Sequence, residues 1–241
     1  MAIKPLLKVL TEAGIGSRRR LADAIKQGKV EINGEIAEDF RHPVDVEKDR
    51  IFINGQEIDI KPDEIICLML NKPENTVSTV SDEKGRRTVM DILPQKYRNL
   101  RLFPVGRLDK DTTGLLLLTN DGNLTYRLTH PRFEHEKEYL VYIKGRLKPE
   151  EMRKLEKGIR LEDGVTSPAK IKEVTSDPFN YSITIHEGKK RQVRRMFERL
   201  GRPVLALKRV RIGNLILGDL KEGETRRLRA QEIANLVDRP K

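Results

Sequence analysis

Leu102-Phe103-Pro104-Val105-Gly106-Arg107-Leu108-Asp109-Lys110-Asp111-Thr112-Thr113-Gly114-Leu115-Leu116-Leu117-Leu118-Thr119-Asn120-Asp121-Gly122 sets a loop of charges and threonines between two apolar runs. Leu115 to Leu118 read as a buried strand. Folded scaffolds present reactive side chains on loops of this kind, so Asp109, Asp111 and Asp121 are the first candidates for chemistry. As a metal site the loop fails. Asp109, Asp111, Thr113 and Gly114 partly imitate the start of a calcium loop, but its twelfth position is Asn120 rather than a bidentate Glu, and leucines stand where oxygen ligands are needed. The remaining reading is a carboxylate in a basic cleft. Neighbouring arginines keep such a group ionised, and it can act as nucleophile or base without a metal. The pattern alone does not choose among the three aspartates.

The rest of the chain says what the cleft faces. Its 241 residues carry 48 Lys+Arg against 37 Asp+Glu, a net charge of +11, with 37% hydrophobic residues. Residues 1–61 hold 11 basic and 11 acidic side chains, so the whole excess falls in 62–241; within the first stretch, 1–30 is basic and 31–61 acidic. The densest positive run is His186 to Arg211, with 10 basic and 2 acidic residues. A polyanion is the partner this distribution fits. No run approaches the roughly 20 apolar residues of a spanning helix, and Met1 to Lys8 lacks the apolar core of a secretory signal, so the expected location is the cytoplasm, with no membrane partner. A single cysteine, Cys67, excludes an internal disulfide and a Cys-based zinc cluster. His42, His130, His135 and His186 lack ligand spacing, and no phosphate-cradling loop appears; no metal, cofactor or nucleotide is expected.

Towards the N-terminus, Ile3, Leu6, Leu7 and Leu10 recur at helical spacing up to Gly14 and Gly16, and Ser17 is placed to cap a second helix from about Arg18 to Gln27. That helix turns Arg18, Arg19 and Arg20 outward, where helix N-termini and arginines favour phosphate oxygens. Asn33-Gly34 and Asn54-Gly55 signal tight turns between short strands. Lys8-Val9-Leu10, Ala13-Gly14, Gly16-Ser17-Arg18-Arg19 and Val30-Glu31-Ile32-Asn33-Gly34 resemble the alpha-L RNA-binding motif, which implies binding to structured RNA. A linker is expected near Gln56 to Asp63, dividing the chain into 1–61 and 62–241. Beyond it, Ile65 to Leu70 reads as an apolar strand ending at Pro73, Thr76 to Val80 is β-rich, Thr88 to Leu93 looks like a short helix, and Pro149 to Lys157 is a helix ended by Gly158. Tyr139 to Ile143, Ala169 to Val174 and Tyr181 to Ile185 read as strands.

Gly106-Arg107-Leu108-Asp109, Asp111-Thr112-Thr113-Gly114-Leu115-Leu116 and Thr119-Asn120-Asp121-Gly122 resemble the central motif of ribosomal pseudouridine synthases of the RsuA/RluB type. The likeness extends over essentially the whole chain. It includes Asn71-Lys72-Pro73, Lys137-Glu138-Tyr139, Glu187-Gly188-Lys189-Lys190-Arg191-Gln192-Val193-Arg194-Arg195-Met196 and Ile212-Gly213-Asn214-Leu215. It implies an α+β fold: the small RNA-binding module, then a catalytic domain with a mostly antiparallel sheet flanked by helices. It also implies isomerisation of a ribosomal RNA uridine to pseudouridine without a cofactor; the protein is expected to be a monomer.

Under that resemblance Asp109 matches the essential aspartate, Arg107 the residue that displaces the base, and Tyr139 the aromatic that stacks on it. Arg194 matches the basic partner of the aspartate, with Arg191 and Arg195 as rivals; Lys189, Lys190, Arg191 and Lys208 are read as RNA contacts that position the phosphates. The loop Asp82 to Asp91 is closer to members that modify large-subunit RNA than to those acting on the small subunit. Two other function classes share the basic cleft: a non-catalytic ribosome-assembly factor, and a metal-dependent nuclease, which needs two carboxylates on one cation.

Overall fold

In a computed structural model, which describes residues 3–60 and 64–237, the chain divides into two units, Met1–Ile65 and Ile66–Lys241. In the first unit Pro5 decides where the opening helix begins. A residue preceding proline is pushed out of the α region, so β1 (Ile3–Pro5) is extended and pairs with β4 (Pro43–Asp45), and α1 starts one residue later (Leu6–Glu12). Ile3, expected on the helix, is therefore on a strand and exposed. The second helix, α2 (Arg18–Lys26), begins where the Ser17 side chain accepts a hydrogen bond from the Arg20 N–H, a cap worth about 1 kcal/mol. Leu6, Leu10, Leu21 and Ile25 pack against Val30 and Ile51 of a four-stranded sheet, ordered β3 (Glu35–Ile36), β2 (Val30–Ile32), β5 (Ile51–Ile53), β6 (Gln56–Ile58). Both Asn-Gly pairs form its hairpin turns, with Asn33 and Asn54 at φ of 52° and 50°. The expected linker is thus structured at its start, since Gln56–Ile58 is a strand of this sheet; its residues 61–63 lie outside the described residues.

The second unit runs β7 (Cys67–Lys72), α3 (Gln95–Arg98), β8 (Phe103–Pro104), β9 (Thr113–Thr119), α4 (Gly122–Thr129), β10 (Lys137–Ile143), α5 (Pro149–Lys157), the hairpin β11 (Arg160–Leu161) and β12 (Gly164–Val165), β13 (Lys170–Ser176), β14 (Phe179–Ile185), α6 (Gln192–Glu198), β15 (Val204–Ile212), β16 (Leu215–Ile216), β17 (Thr225–Arg227) and α7 (Ala230–Val237). One sheet carries it, ordered β13-β14-β10-β15-β9-β7-β17, with β8 and β16 attached at the side. Every pair is antiparallel except β15 with β9. Alternation explains why β7 and β9 are continuous apolar runs: Leu68, Leu70, Leu116 and Leu118 enter one core with α5 and α6, while Cys67, Met69, Leu115 and Leu117 enter another with α4 and α7. Cys67 is fully buried, and its thiol is pushed up to about 12, first by burial and then by Asp121 and Glu232.

Two expected elements are absent from these positions. Thr88 to Leu93 is a turn, because the Asp91 carboxylate takes the Thr88 N–H at 2.7 Å and its hydroxyl at 2.9 Å, a local alternative to helix. Thr76 to Val80 forms only a bridge between Val77 and Thr88. There the Ser78 hydroxyl is turned inward and bonded to a different loop.

Candidate active site

The three aspartates of the opening stretch separate by what occupies them. Asp121 caps α4, accepting the Asn123 N–H at 2.8 Å. Asp111 is held by two arginines, with Arg191 Nη1 and Arg194 Nε each 3.3 Å from its carboxylate. Asp109 is half-buried and, among the described residues, its carboxylate has neither a hydrogen bond nor an ion pair. It lines a cleft of about 390 Å³ together with Arg107, Tyr139, Lys189, Lys190 and Arg191.

The backbone carrying Asp109 is fixed from several sides. Lys72 at the end of β7 is 0% exposed and directs its ammonium at the carbonyls of Thr112 (2.8 Å), Pro73 (2.9 Å) and Lys110 (3.4 Å). Burial pushes this lysine down to about 8 from an ordinary 10.5, although the carboxylates of Asp111, Glu222, Asp109 and Glu74 oppose the fall. Ser78 Oγ donates to the Leu108 carbonyl at 2.9 Å and accepts the Leu108 N–H at 3.2 Å. The Asn75 N–H donates to the Lys110 carbonyl, and Arg194 Nη2 to the Asp111 carbonyl at 2.6 Å. Leu108, Lys110, Asp111 and Thr112 are all tied while the side chain of Asp109 is left to the cleft. Such pre-positioning is what a reacting carboxylate requires.

Glycine enters at one decisive point. Gly114 pairs with Arg209 across the parallel β9–β15 contact at φ +100°, and a Cβ there would stand 2.2 Å from the Arg209 carbonyl oxygen. Only glycine lets the strand leave the aspartate loop at that distance.

Tyr139, on β10, is 9% exposed and lies opposite Arg209 in register. Arg209 was not anticipated from the sequence. It is 4% exposed; its Nε donates to the Leu115 carbonyl at 2.8 Å, its Nη1 lies 3.5 Å from the Tyr139 hydroxyl, and its buried Nη2 has no hydrogen-bond partner among the described residues. Lys137, two residues before Tyr139, also lines the cleft and is pushed down to about 8, first by burial and then by Arg209. Arg107 is exposed on the rim.

Other expectations are corrected. Arg194, expected to pair with Asp109, is engaged with Asp111 and with the Val204 carbonyl (3.0 Å), being 6% exposed and directed into the packing between α6 and β15. Its rival Arg191 also meets Asp111, and Arg195 pairs with Asp163 at 2.9 Å. Lys208 is outside the cleft lining: it stands opposite Leu140, one residue out of phase with the Arg209–Tyr139 pair, and period-two alternation sends it to the other face. Lys189 lines the cleft, donating to the Val165 carbonyl at 3.2 Å, and Lys190 is exposed beside it. In the first unit Arg19 and Arg20 line a separate concavity with Lys29 and Asn54, and Arg18 is exposed outside it. Among the described residues no group of three or more His, Cys, Asp or Glu is placed to hold a metal ion, and no helix is long and apolar enough to cross a membrane.

The cleft thus brings together one unengaged carboxylate, Arg107 on its rim and the largely buried Tyr139. Residues 66–199 match the model of the RNA pseudouridylate synthase family and residues 4–51 that of the S4 domain. The chain is 42% identical over 237 residues to ribosomal large subunit pseudouridine synthase B of Bacillus subtilis, covering 96% of this chain and 94% of that one. It is 38% identical over 232 residues to an uncharacterized RNA pseudouridine synthase of Aquifex aeolicus, covering 95% and 92%. A crystal structure of a pseudouridylate synthase superposes with a TM-score of 0.68 at 36% identity, covering 98% of this chain and all of that one. The chain belongs to the RNA pseudouridylate synthase family, with an S4 domain in front.

Proposed function

We propose that the chain converts one uridine of large-subunit ribosomal RNA to pseudouridine, with Asp109 as the reacting carboxylate. The reaction is an isomerisation: the bond from the sugar to the base nitrogen breaks, the uracil turns, and its fifth carbon is joined to the sugar. That carbon's proton is lost and the freed nitrogen gains one, so nothing is consumed. The observation that carries the reading is the contrast among the three aspartates. Asp121 and Asp111 are spent on a helix cap and two arginines, whereas Asp109 sits on a fully tied backbone with its carboxylate uncommitted.

Each neighbour then has a task. Arg107 on the rim is suited to take the place of the extruded uridine, an event that costs a few kcal/mol and is offset by contacts in the pocket. Tyr139 offers a ring face to the base, worth about 1–3 kcal/mol. Lys189, Lys190 and Arg191 on the cleft wall meet phosphates. Arg194 acts at one remove, holding Asp111 and thereby the loop. Arg18, Arg19 and Arg20 supply the S4 domain's share of affinity for structured RNA. The choice of the large subunit follows the Bacillus subtilis relative and the Asp82 to Asp91 loop.

The test is pseudouridine mapping in both ribosomal RNAs from cells with the gene, without it, and with Asp109→Asn restored. Loss of one large-subunit site that the variant fails to restore is the expected result. An unchanged map with RNA binding intact would replace the reading by the assembly-factor one.

A further inference from the structure

The rim of the cleft carries an aromatic cluster that the isomerisation does not use. The chain has only 11 Phe and Tyr residues and no Trp. Two of them, Tyr126 on α4 and Phe133 in the turn after it, meet edge to face with centroids 5.8 Å apart. His130 lies 4.9 Å from the Tyr126 ring. The Arg132 guanidinium is over both rings, 5.0 Å from the Tyr126 centroid and 4.5 Å from that of Phe133. This is surface, not core: Arg132 is exposed and Tyr126 is 44% exposed.

The cluster is rigid and continuous with the site. His130 Nδ1 accepts the Arg132 N–H at 3.2 Å, the Phe133 and Glu134 N–H groups close onto His130 and Pro131, and Glu134 adopts φ 48°, a left-handed conformation that a non-glycine residue holds at some cost. His130, Pro131 and His135 line the same cleft as Asp109 and Arg107. Gly106, next to Arg107, is close enough to Thr129 that a Cβ would meet its methyl at 3.4 Å.

An exposed arginine plane backed by an aromatic ring presents a face on which a base can stack. We propose that Arg132, backed by Tyr126 and Phe133, forms a stacking subsite for a nucleobase adjacent to the uridine that enters the cleft. The inference rests on the proposed function for the identity of the RNA, but not for its physical test. It gives the protein a means of holding a second unstacked nucleotide, so that recognition spans the target and a neighbour.

The experiment uses the full-length chain carrying Asp109→Asn and a stem–loop RNA whose loop contains a uridine with 2-aminopurine placed in turn on its 5′ and 3′ sides. Binding changes the fluorescence at one of the two positions, where the base exchanges its neighbouring bases for the guanidinium face. Arg132→Ala and Tyr126→Leu abolish that change and weaken affinity by about 5- to 150-fold, the range for losing one stacked base. Arg132→Lys, which keeps the charge at an exposed position where folding is not at stake, also loses the change, because a lysine has no plane. A fluorescence change and affinity retained by Arg132→Lys would reduce the residue to a phosphate contact and overturn the proposal, as would an unaltered signal in all three variants. Nucleoside chromatography of the same RNA, treated with the unaltered protein and digested, reads pseudouridine separately, so failure of the isomerisation reading registers there and not in the fluorescence.

Discussion

Lys72→Met is the most informative perturbation of the site, because it removes a charge without removing volume. The ammonium satisfies the Thr112, Pro73 and Lys110 carbonyls inside the protein. Leaving the two closely bonded carbonyls without a donor costs about 1–3 kcal/mol each. Against that, the buried charge is itself unfavourable: a fall from 10.5 to about 8 corresponds to about 3 kcal/mol at about 1.4 kcal/mol per unit, and methionine recovers it. The opposing effects nearly cancel, so stability should stay within about 3 kcal/mol of the unaltered protein. Activity should not. The loop holding Asp109 loses its tether at Lys110 and Thr112, and a displacement of about 1 Å at a reacting group costs on the order of 100-fold in rate. Single-turnover pseudouridine formation followed by nucleoside chromatography, beside urea unfolding at pH 7, separates the two quantities. A variant that keeps more than half the rate would refute the reasoning, as would a rate loss accounted for by the unfolded fraction alone.

Gly114→Ala should destabilise by about 3 kcal/mol or more, combining a disfavoured positive φ with a clash against the Arg209 backbone; a urea midpoint equal to that of the unaltered protein would show that β9 and β15 can part. Lys137 predicts a pH dependence. Its folded value of about 8 is below the ordinary 10.5, so between those limits the unfolded chain binds more protons, and stability rises with pH across the window. The unaltered protein should accordingly gain on Lys137→Met between pH 8 and 10.5 in paired denaturation curves, and parallel curves would remove burial as the cause. Removing residues 1–65 should weaken binding to structured ribosomal RNA in filter-binding assays while the remaining unit keeps its circular dichroism; unchanged affinity would assign RNA binding to the cleft alone.

Local signals carried far in this chain. Ser17 and the Asn-Gly pairs act through their own neighbours, which is why α2 and the hairpin turns of the first unit fall where the sequence places them. The β7 and β9 strands were equally legible, because a run such as Leu115 to Leu118 needs two cores to bury it. What escaped depends on partners distant in sequence. Whether Arg194 meets Asp109 or Asp111 is a matter of where the loop is pinned, and the pins, Lys72 and Ser78, come from other segments. Lys72 did leave a signal: a lysine closing an apolar strand just before Pro73 has no water to face. Arg209 and Lys208 differ only in strand phase, and the β10–β15 register that sorts them contains two irregularities no pattern of residues announces.

The single parallel contact in the sheet also bears on how the protein is made. Thr113 and Lys208, side by side in β9 and β15, are separated by about 95 residues of chain, and such distant closures form late. A nascent chain leaves the ribosome N-terminal end first, so the helix pair and small sheet of the S4 domain emerge in full while the strand that closes the aspartate loop has not been synthesised. The S4 domain therefore has its whole sequence before the β9–β15 contact can form, and that contact waits until translation has passed Arg209.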